Sequence, residues 1–345
     1  MQNPVKPPTL TDVARLAGVS VPAASRALNG GVRGKQSGSP ELRKRVEDAA
    51  RALGYSVSPA AQTIKGGRAR TVAFIVNDIE DFGSATMIAG VMHAAEKRGV
   101  SVAVRTTRDD PLRELELLTQ LAGERHRAVV IATSRTLDRH REAAVADQLR
   151  TLQAQGANIV VIGDNALGFP TVTVDNHDAA ERLASGLADA GRRRFAIVSG
   201  PDDEITSRDR VAGFVAGLAA RGVVVPEARV IHGSFSRDGG YRAVDHLVDD
   251  LDDLDVIAAM SDAMAVGVIA HLRARGIDTP GPIEVTGFDH VPLLGDVLPR
   301  FSTVEVPLEE FGEAALALAL EGGGATDSVV ALRARTIVHG VSEPE

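Results

Sequence analysis

Residues 9–29 read TLTDVARLAGVSVPAASRALN, and this stretch decides the fold of the N-terminal part of the chain. Thr9, with an aspartate three residues later, forms the pattern of a helix capping box, and Gly18 supplies a left-handed helix end. Ser20 then caps a second helix whose first turn contains Pro22, where a missing N–H costs nothing. Two short helices joined in this way predict a helix-turn-helix, although the pattern alone also fits an ordinary helical hairpin.

Apolar and small residues in this segment have the spacing of two helices that cross closely. The positions predicted to face each other are Val13, Leu16, Ala17, Val19, Ala24 and Leu28. The positions left outward on the second helix, and so able to enter a DNA major groove, are Val21, Pro22, Ser25 and Arg26. A third helix is predicted from a cap at Ser39 to Leu53, with a stop at Gly54. The three helices predict a small DNA-binding domain.

The charge of the chain is divided unevenly along its length. Residues 1–70 contain 12 basic and four acidic side chains, a net charge of +8, whereas the other 26 basic and 42 acidic side chains give −16. A basic head on an acidic body suits a protein that places one end on phosphate. This asymmetry favours the DNA-binding interpretation of the head over a plain hairpin.

Composition excludes several classes of protein and of site. The 345 residues contain no cysteine, which excludes disulfides and thiolate metal sites, and the nine histidines show no ligand spacing. No catalytic motif, cofactor motif or metal site is recognised, so we expect no enzyme activity. No apolar run is long enough to span a membrane and no signal peptide begins the chain, which predicts a cytoplasmic location.

A short helix is predicted after the three-helix domain, at the start of residues 58–70. Its cap, its early proline and a glycine stop after about two turns are all present, yet so short a helix is unstable alone. It would form only against a partner copy or a DNA groove, which makes it a candidate hinge. The alternative is a linker with incidental helix signals.

From residue 71 onward, apolar runs alternate with amphipathic helical patterns. This arrangement predicts an α/β core of two doubly wound parallel sheets, with lobes near 71–160 plus 291–320 and near 161–290 plus the C-terminus. Ligands of such folds bind beyond the carboxyl ends of the strands, here in the cleft between lobes. The predicted strands are Val72–Val76, Val100–Arg105, Ala128–Ile131, Ile159–Ile162, Phe195–Val198, Arg229–Ile231, Val256–Ala258 and Ile283–Thr286.

Several separated motifs resemble the LacI/GalR (lactose-repressor) family of bacterial transcription regulators over nearly the whole chain. The head resembles the family pattern TxxDVAxxAGVS followed by SRxLN. In the body the resemblance is carried by Val174-Asp175-Asn176, Arg210 with Gly213-Phe214, Ser261-Asp262, Thr286-Gly287-Phe288-Asp289 and Ser302-Thr303-Val304. The resemblance implies a helix-turn-helix domain at 1–57, a hinge helix and linker at 58–70, and a bilobed, periplasmic-binding-protein-like domain at 71–345.

The resemblance also implies which residues contact DNA. Val21 and Pro22 occupy the main base-reading positions and Arg26 lies beside them, able to present a guanidinium fork to guanine. Ile64 matches the hinge residue that family dimers insert into the minor groove. The full implied DNA-binding set is Thr9, Ser20, Val21, Pro22, Ser25, Arg26, Asn29, Arg33, Lys35, Ala61 and Ile64.

Family positions likewise point to an effector site in the cleft. Carboxylates and an arginine suit the hydroxyl groups of a sugar, while two phenylalanines could stack on a sugar face or simply pack in the core. Arg210 could equally form a structural ion pair, and Asp289 could be a solvent-facing cap. The implied effector-binding residues are Asp78, Phe82, Asp164, Arg210, Phe235, Ser261, Asp262 and Asp289.

The resulting expectation is a homodimeric repressor that binds a pseudo-palindromic operator in double-stranded DNA and responds to a small polar effector, such as a sugar. Two recognition helices are needed because one reads only a few base pairs. The alternatives are a non-enzymatic solute-binding protein, which needs an export signal and no head, and a corepressor-dependent regulator that responds to a nucleobase. A sugar-processing enzyme would need a nucleophile or a metal site.

Overall fold

The computed structural model describes residues 8–28, 39–55, 71–164, 166–298, 300–321 and 328–339. The chain divides into two compact units, Met1–Arg70 and Thr71–Glu345, which we call the head and the core. The predicted hinge helix lies outside the described residues. So do five residues of the predicted DNA-binding set: Asn29, Arg33, Lys35, Ala61 and Ile64.

The described part of the head contains three helices: α1 (Leu10–Ala17), α2 (Val21–Leu28) and α3 (Pro40–Leu53). The predicted capping box is present, because the Thr9 side chain accepts from the Asp12 N–H and the Asp12 side chain accepts from the Thr9 N–H. Gly18 and Gly54 adopt left-handed conformations, with φ of 65° and 63°, at the ends of α1 and α3. Local sequence signals therefore set the helix boundaries.

The hydrophobic interior of the head is built mainly from small residues, as the sequence predicts. Val13, Ala24 and Val46, one from each helix, are all fully buried. Leu16 was predicted to join this core but is 56% exposed. The buried face of α1 is centred between Ala14 and Ala17. At roughly 100° per residue, Leu16 lies about 130° from that centre, more than a third of a turn. The prediction for Leu16 is therefore wrong.

The core alternates strands and helices along the chain. Its described helices are α4 (Phe82–Arg98), α5 (Pro111–Glu124), α6 (Arg139–Ala154), α7 (Asn176–Asp189), α8 (Ile205–Ala219), α9 (Arg237–Ala243), α10 (Asp262–Ala274), α11 (Pro292–Val297) and α12 (Leu308–Glu321). Its described strands are β1 (Thr71–Val76), β2 (Ser101–Thr106), β3 (Ala128–Ala132), β4 (Asn158–Ile162), β5 (Thr171–Val174), β6 (Phe195–Ser199), β7 (Val230–His232), β8 (Val256–Ala259), β9 (Glu284–Thr286), β10 (Thr303–Glu305), β11 (Val329–Leu332) and β12 (Arg335–Ile337). Short 3₁₀ segments at Glu227–Arg229 and Val244–Asp253 flank β7 and α9.

Two parallel sheets form the two lobes of the core. The first has the strand order β11-β5-β4-β3-β1-β2 and the second the order β7-β6-β8-β9. Strands β10 and β12 pair separately as an antiparallel ribbon. The central strands are almost continuously buried, which is typical of a parallel sheet covered by helices on both faces. All eight predicted strands are present, and the doubly wound α/β prediction is confirmed.

Lobe membership differs from the prediction in two places. Strand β5 belongs to the first sheet, although it lies beyond the predicted boundary near residue 160, and it pairs with C-terminal strand β11. The C-terminal segment was predicted to belong to the second lobe. Strand pairing between distant segments depends on which sheet edge is free, and apolar periodicity carries no information about that choice.

Apolar cores fill both lobes. Phe74, Val91 and Leu316 are buried in the first lobe, where α12 packs on α4. Val198, Leu247 and Leu272 are buried in the second lobe. Across the residues that the structure describes, no helix is long and apolar enough to cross a membrane. The same residues contain no group of three or more histidine, aspartate or glutamate side chains that could hold a metal ion.

Candidate functional site

The outward face of α2 carries the predicted base-reading residues. Pro22 and Arg26 are exposed, and Val21 and Ser25 are partly buried. Arg26 is exposed on this helix, and no ion pair joins it to another described residue. A short helix that presents a guanidinium beside small apolar side chains has the form needed to enter a major groove.

Two of the other predicted DNA contacts have local structural roles. The Thr9 hydroxyl donates to the Asp12 carboxylate at 2.6 Å, and the Ser20 Oγ accepts from the Ala23 N–H at 3.4 Å. Both side chains hold the starts of their helices and remain exposed. Hydroxyl and backbone N–H groups at helix starts are common phosphate ligands, so a DNA contact by either residue stays a prediction.

The second candidate site is a cavity of about 530 Å³ between the two lobes of the core. It lies beyond the carboxyl ends of strands from both sheets, because β1, β3, β8 and β9 each deliver a lining residue shortly after they end. This is the position at which doubly wound folds bind their ligands. Six predicted effector residues line the cavity: Asp78, Phe82, Arg210, Phe235, Ser261 and Asp289.

Asp164 does not line this cavity. It is exposed and its carboxylate accepts from the Ala166 N–H at 2.7 Å, which closes the turn that follows β4. Asp164 was predicted to be an effector ligand from the family resemblance, but its carboxylate turns toward its own backbone. The structure therefore corrects its placement.

Asp262 also does not line the cavity, for a different reason. It is fully buried behind the cavity wall, where its carboxylate accepts from the Val291 N–H at 2.6 Å and the Thr303 hydroxyl at 3.1 Å. Burial raises the pKa of Asp262 to about 7. The hydrogen bonds act in the opposite direction but do not outweigh burial. It thus anchors a strained segment in which Asp289 and His290 have φ of 118° and 59°.

Arg210 on α8 is the central cation of the cavity. Its guanidinium donates to the Met260 carbonyl at 2.6 Å, to Asn176 Oδ1 at 2.9 Å and to Asp289 Oδ1 at 3.4 Å. The guanidinium carbon also lies 3.7 Å from the centre of the Phe288 ring. The ion pair and the cavity position were alternative interpretations of Arg210, and the structure contains both.

Asp289, the ion-pair partner of Arg210, also lines the cavity. Burial raises the pKa of its carboxyl to about 8, because lost hydration outweighs the attraction of Arg210, and the charges of Asp262 and Asp81 act in the same direction as burial. The buried Asp289 carboxyl therefore holds its proton to a higher pH than an exposed aspartate does. A neutral carboxyl can donate a hydrogen bond as well as accept one.

The first lobe contributes polar residues that sequence reasoning missed. Asn77 follows β1 and Ser134 follows β3, and the two are joined by a 2.9 Å bond from Asn77 Nδ2 to Ser134 Oγ. The Ser134 N–H donates to Asn77 Oδ1 at 3.3 Å, so the pair is held rigidly across two strand ends. The rule that ligands lie beyond strand ends could have identified both.

The two walls of the cavity differ in charge. The first lobe contributes four carboxylates and no lining cation among the described residues: Asp78, Glu80, Asp81 and Asp109. Asp109 is exposed at the mouth, and partial desolvation followed by the charges of Asp78 and Asp81 raises its pKa. On the second lobe, Arg210 pairs with Asp289, and Arg237 pairs with Asp238 at 2.8 Å. The cavity is therefore acidic.

Two family profiles match the chain. Residues 9–58 match the profile described as bacterial regulatory proteins, lacI family. Residues 69–317 match the profile described as periplasmic binding proteins and sugar binding domain of LacI family. Together the two matches take in the described head and most of the core.

Similar proteins cover nearly the whole chain. The catabolite control protein A of Priestia megaterium is 28% identical over 90% of this chain and 91% of its own length. The transcriptional regulator CelR of Thermobifida fusca is 31% identical over 88% of each chain. The solved CelR–cellobiose complex is 27% identical with a TM-score of 0.68 and covers 96% of this chain and 98% of its own. The lac repressor dimer bound to operator is 19% identical, covers the same shares, and agrees in fold with a TM-score of 0.78.

Proposed function

Because this chain belongs to the LacI family of bacterial regulatory proteins, we propose that it is a transcriptional repressor whose operator binding is controlled by a small polyhydroxyl effector. Its relatives are DNA-binding transcription regulators rather than enzymes. The effector would bind in the cavity between the core lobes. It would change the relative populations of two lobe arrangements and, through the segment that joins core and head, the affinity for DNA.

One observation carries this proposal. The cavity of about 530 Å³ is lined by convergent hydroxyl, amide, carboxyl and guanidinium groups from both lobes. Cavities of this size hold small ligands, and polar groups at fixed positions give such sites their specificity. A ligand bound to Ser134 on one lobe and to Arg210 on the other would stabilise one lobe arrangement.

Charge narrows the class of effector. A phosphorylated sugar would place its dianion among four carboxylates of the first lobe, and both lining arginines are already paired with carboxylates. Bringing like charges together in a partly desolvated site costs free energy. Hydroxyl groups donate hydrogen bonds to carboxylates without this cost. We therefore propose an effector without an anionic group, such as an uncharged sugar.

The experiment is a thermal-shift series on the full-length protein with matched neutral, amino and phosphorylated forms of common sugars, plus polyols and nucleobases. We expect a neutral or amino form to raise the melting temperature, while its phosphorylated counterpart leaves it unchanged at equal concentration. A phosphorylated form that stabilises more than its neutral counterpart would contradict the proposed effector class.

Each stabilising compound is then added to the protein bound to an operator fragment selected in vitro. Release of DNA would support an inducible repressor. Tighter binding, as for a nucleobase that stacks on Phe82 or Phe235, would instead support the corepressor alternative. DNA binding itself should weaken steeply as salt rises, because contacts to phosphate release counterions.

We also propose that the working form is a homodimer that recognises a pseudo-palindromic operator. A single helix of the size of α2 reads only a few base pairs, so two copies are needed for a specific site. Dimerisation through the core would keep the two heads at a defined spacing. The similar lac repressor structure is a dimer bound to operator, and this supports the proposal.

Arg26→Ala should selectively weaken binding to the operator. The exposed Arg26 guanidinium can form two hydrogen bonds to guanine, and loss of such a contact costs about 1–3 kcal/mol, or roughly 5-fold to 150-fold in affinity. The measurement is fluorescence anisotropy with the selected operator and with a scrambled duplex. We expect the loss to be much larger on the operator.

Arg51→Ala is the matched control for this prediction. Arg51 lies on α3 in the same head, and its side chain is 77% exposed and pairs with Asp48. Loss of the Arg51 side chain should change the affinity for both duplexes only slightly and to the same extent. Equal losses on the operator and the scrambled duplex for Arg26→Ala would mean that Arg26 contacts phosphate rather than a base.

A further inference from the structure

The two lobes are joined by backbone hydrogen bonds at one edge of the cleft. The Ile205 N–H donates to the Arg135 carbonyl at 2.9 Å, and the Leu137 N–H donates to the Asp203 carbonyl at 2.7 Å. Between these bonds, Thr136 forms an antiparallel β-bridge with Glu204 on the other lobe. We call residues 135–137 and 203–205 the clasp. It adds a non-covalent connection to the chain crossovers between lobes.

Side-chain bonds reinforce the clasp. The Thr136 hydroxyl lies 3.1 Å from the Asp203 carbonyl and 3.2 Å from the Asp203 Oδ2, within reach of both acceptors. Thr136 is 3% exposed. A buried hydroxyl that crosses between two lobes loses its partners when the lobes separate, unless water replaces them. The clasp is therefore stable only in the closed arrangement.

The first-lobe half of the clasp is held by a buried ion network. Arg135 is 2% exposed and pairs with the buried carboxylates of Glu114 and Glu142. The Glu142 carboxylate also accepts from the Thr136 N–H at 3.1 Å. These bonds fix the direction of the Arg135 carbonyl before the other lobe arrives. One side of the clasp is thus rigid.

The second-lobe half leads directly into the effector cavity. Glu204 precedes the first residue of α8, the helix that carries Arg210. Ser134, next to the clasp on the first lobe, and Thr206, next to it on the second, both line the cavity. The clasp therefore lies at the rim of the cavity.

We propose that the clasp holds the cleft closed in the effector-free protein, and that Glu204 makes its closure depend on pH, closed at low pH and looser at high pH. The part of this inference that concerns effector entry and release rests on the proposed function above. The clasp itself is a property of the ligand-free core.

The surroundings of Glu204 support the direction of this dependence. Its Oε2 is buried without a hydrogen-bond partner among the described residues. Burial raises the pKa of Glu204 to about 7, with contributions of the same sign from Asp109 and Asp203, while the Ser134 hydroxyl and Arg141 lower it. The four side chains that act on the Glu204 carboxyl come from both lobes, with Ser134, Asp109 and Arg141 on the first and Asp203 on the second.

The sign of the effect follows from proton linkage. When the clasp opens, Glu204 regains water and its pKa returns toward the ordinary value of 4.5. The closed form then binds the proton more tightly than the open form, so closure is favoured at low pH. It is progressively lost as the pH rises through about 7. Between pH 6 and pH 8 the closed-to-open ratio should fall about tenfold.

The test is amide hydrogen exchange of the effector-free, full-length protein at pH 6 and pH 8, corrected for intrinsic exchange. Peptides that contain the Leu137 and Ile205 amides report on the clasp. We expect their protection to fall about tenfold in the wild type and to stay nearly constant in Glu204→Gln, which retains the shape of the side chain. Glu116→Gln, on the exposed surface of α5, should behave as the wild type.

Thr136→Val tests the clasp without changing a charge. Removal of the hydroxyl should speed exchange of the same two amides about fivefold to tenfold at both pH values. Thr151→Val, which removes a hydroxyl bonded within α6, is the control and should leave them unchanged. Circular dichroism confirms that each variant is folded. Clasp amides that exchange at the intrinsic rate, or equal pH dependence in Glu204→Gln and the wild type, would overturn the proposal.

These measurements need no effector, so they separate the two proposals. Protected clasp amides in a protein that binds none of the sugars would retain the clasp and contradict the proposed function. Sugar binding by a protein with unprotected clasp amides would support the proposed function and contradict the clasp. With a bound sugar, Thr136→Val should release it about fivefold to tenfold faster than the wild type, and equal release rates would contradict a role at the cavity rim.

Discussion

Arg210→Ala is expected to destabilise the core by about 3–5 kcal/mol, the range for a buried charge that loses its partner. The guanidinium satisfies the Met260 carbonyl, Asn176 and Asp289 together and packs on the Phe288 ring, so alanine leaves several buried polar groups without partners. Urea unfolding followed by far-UV circular dichroism measures the loss.

The loss should also depend on pH. In the wild type the pKa of Asp289 is already raised to about 8, and removal of the neighbouring cation raises it further. A group whose folded pKa lies above its unfolded value near 3.8 favours the folded state at low pH, and this contribution disappears as pH rises through the folded pKa. Arg210→Ala should therefore lose more stability at pH 9 than at pH 6.

Arg208→Ala is the matched control on the same helix. Its side chain is 50% exposed and pairs with its neighbour Asp209, so its removal should change stability by less than about 1 kcal/mol. Arg210→Ala should also remove any thermal shift produced by an effector at pH 6, where the variant is most stable. A variant that is as stable as Arg208→Ala and still binds effector would show that Arg210 is neither an anchor nor a ligand.

Gly213→Ala is expected to cost about 3 kcal/mol or more, although alanine is the better helix former. A Cβ at this position would lie 2.0 Å from the carbonyl oxygen of His177, where α8 crosses α7. The obstacle is backbone, so the two helices must move apart, and overpacking of this kind costs more than the gain in helix propensity. Thermal and urea unfolding of the full-length protein measure the change.

Gly123→Ala provides the opposite result in the same protein. Gly123 lies near the end of α5, and a Cβ there meets no atom within 4 Å beyond its chain neighbours and the adjacent backbone of its own helix. The variant should gain up to about 1 kcal/mol, because alanine loses less backbone entropy in a helix. If Gly213→Ala were equally stabilising, α7 and α8 could not be in the close contact that the structure shows.

Much of the head was predictable because its signals are local. A capping box at Thr9 and left-handed glycines at Gly18 and Gly54 act within one turn of the chain, and each has the expected conformation. The wrong prediction for Leu16 depended on which face of α1 meets the other helices. That choice involves all three helices and cannot be read from the periodicity of one.

In the core, the sequence predicted eight of the strands, including the longest and most buried ones, and the side of the sheets at which a ligand would bind. It missed β5, β10, β11 and β12, which are short and partly exposed. It also could not distinguish Asp262 from Asp289, since both follow apolar strands. Only the fold shows that Asp262 turns inward to Val291 while Asp289 faces the cavity.

The sequence alone determined the helix ends of the head, the doubly wound class of the core and the family, because capping, periodicity and motif order are written in neighbouring residues. The tertiary structure decided which strands share a sheet, which carboxylates reach the cavity, and that Thr136 meets Glu204 across the cleft. These are contacts between segments far apart in the chain. Their free energy depends on the packing of the whole core and leaves no local pattern.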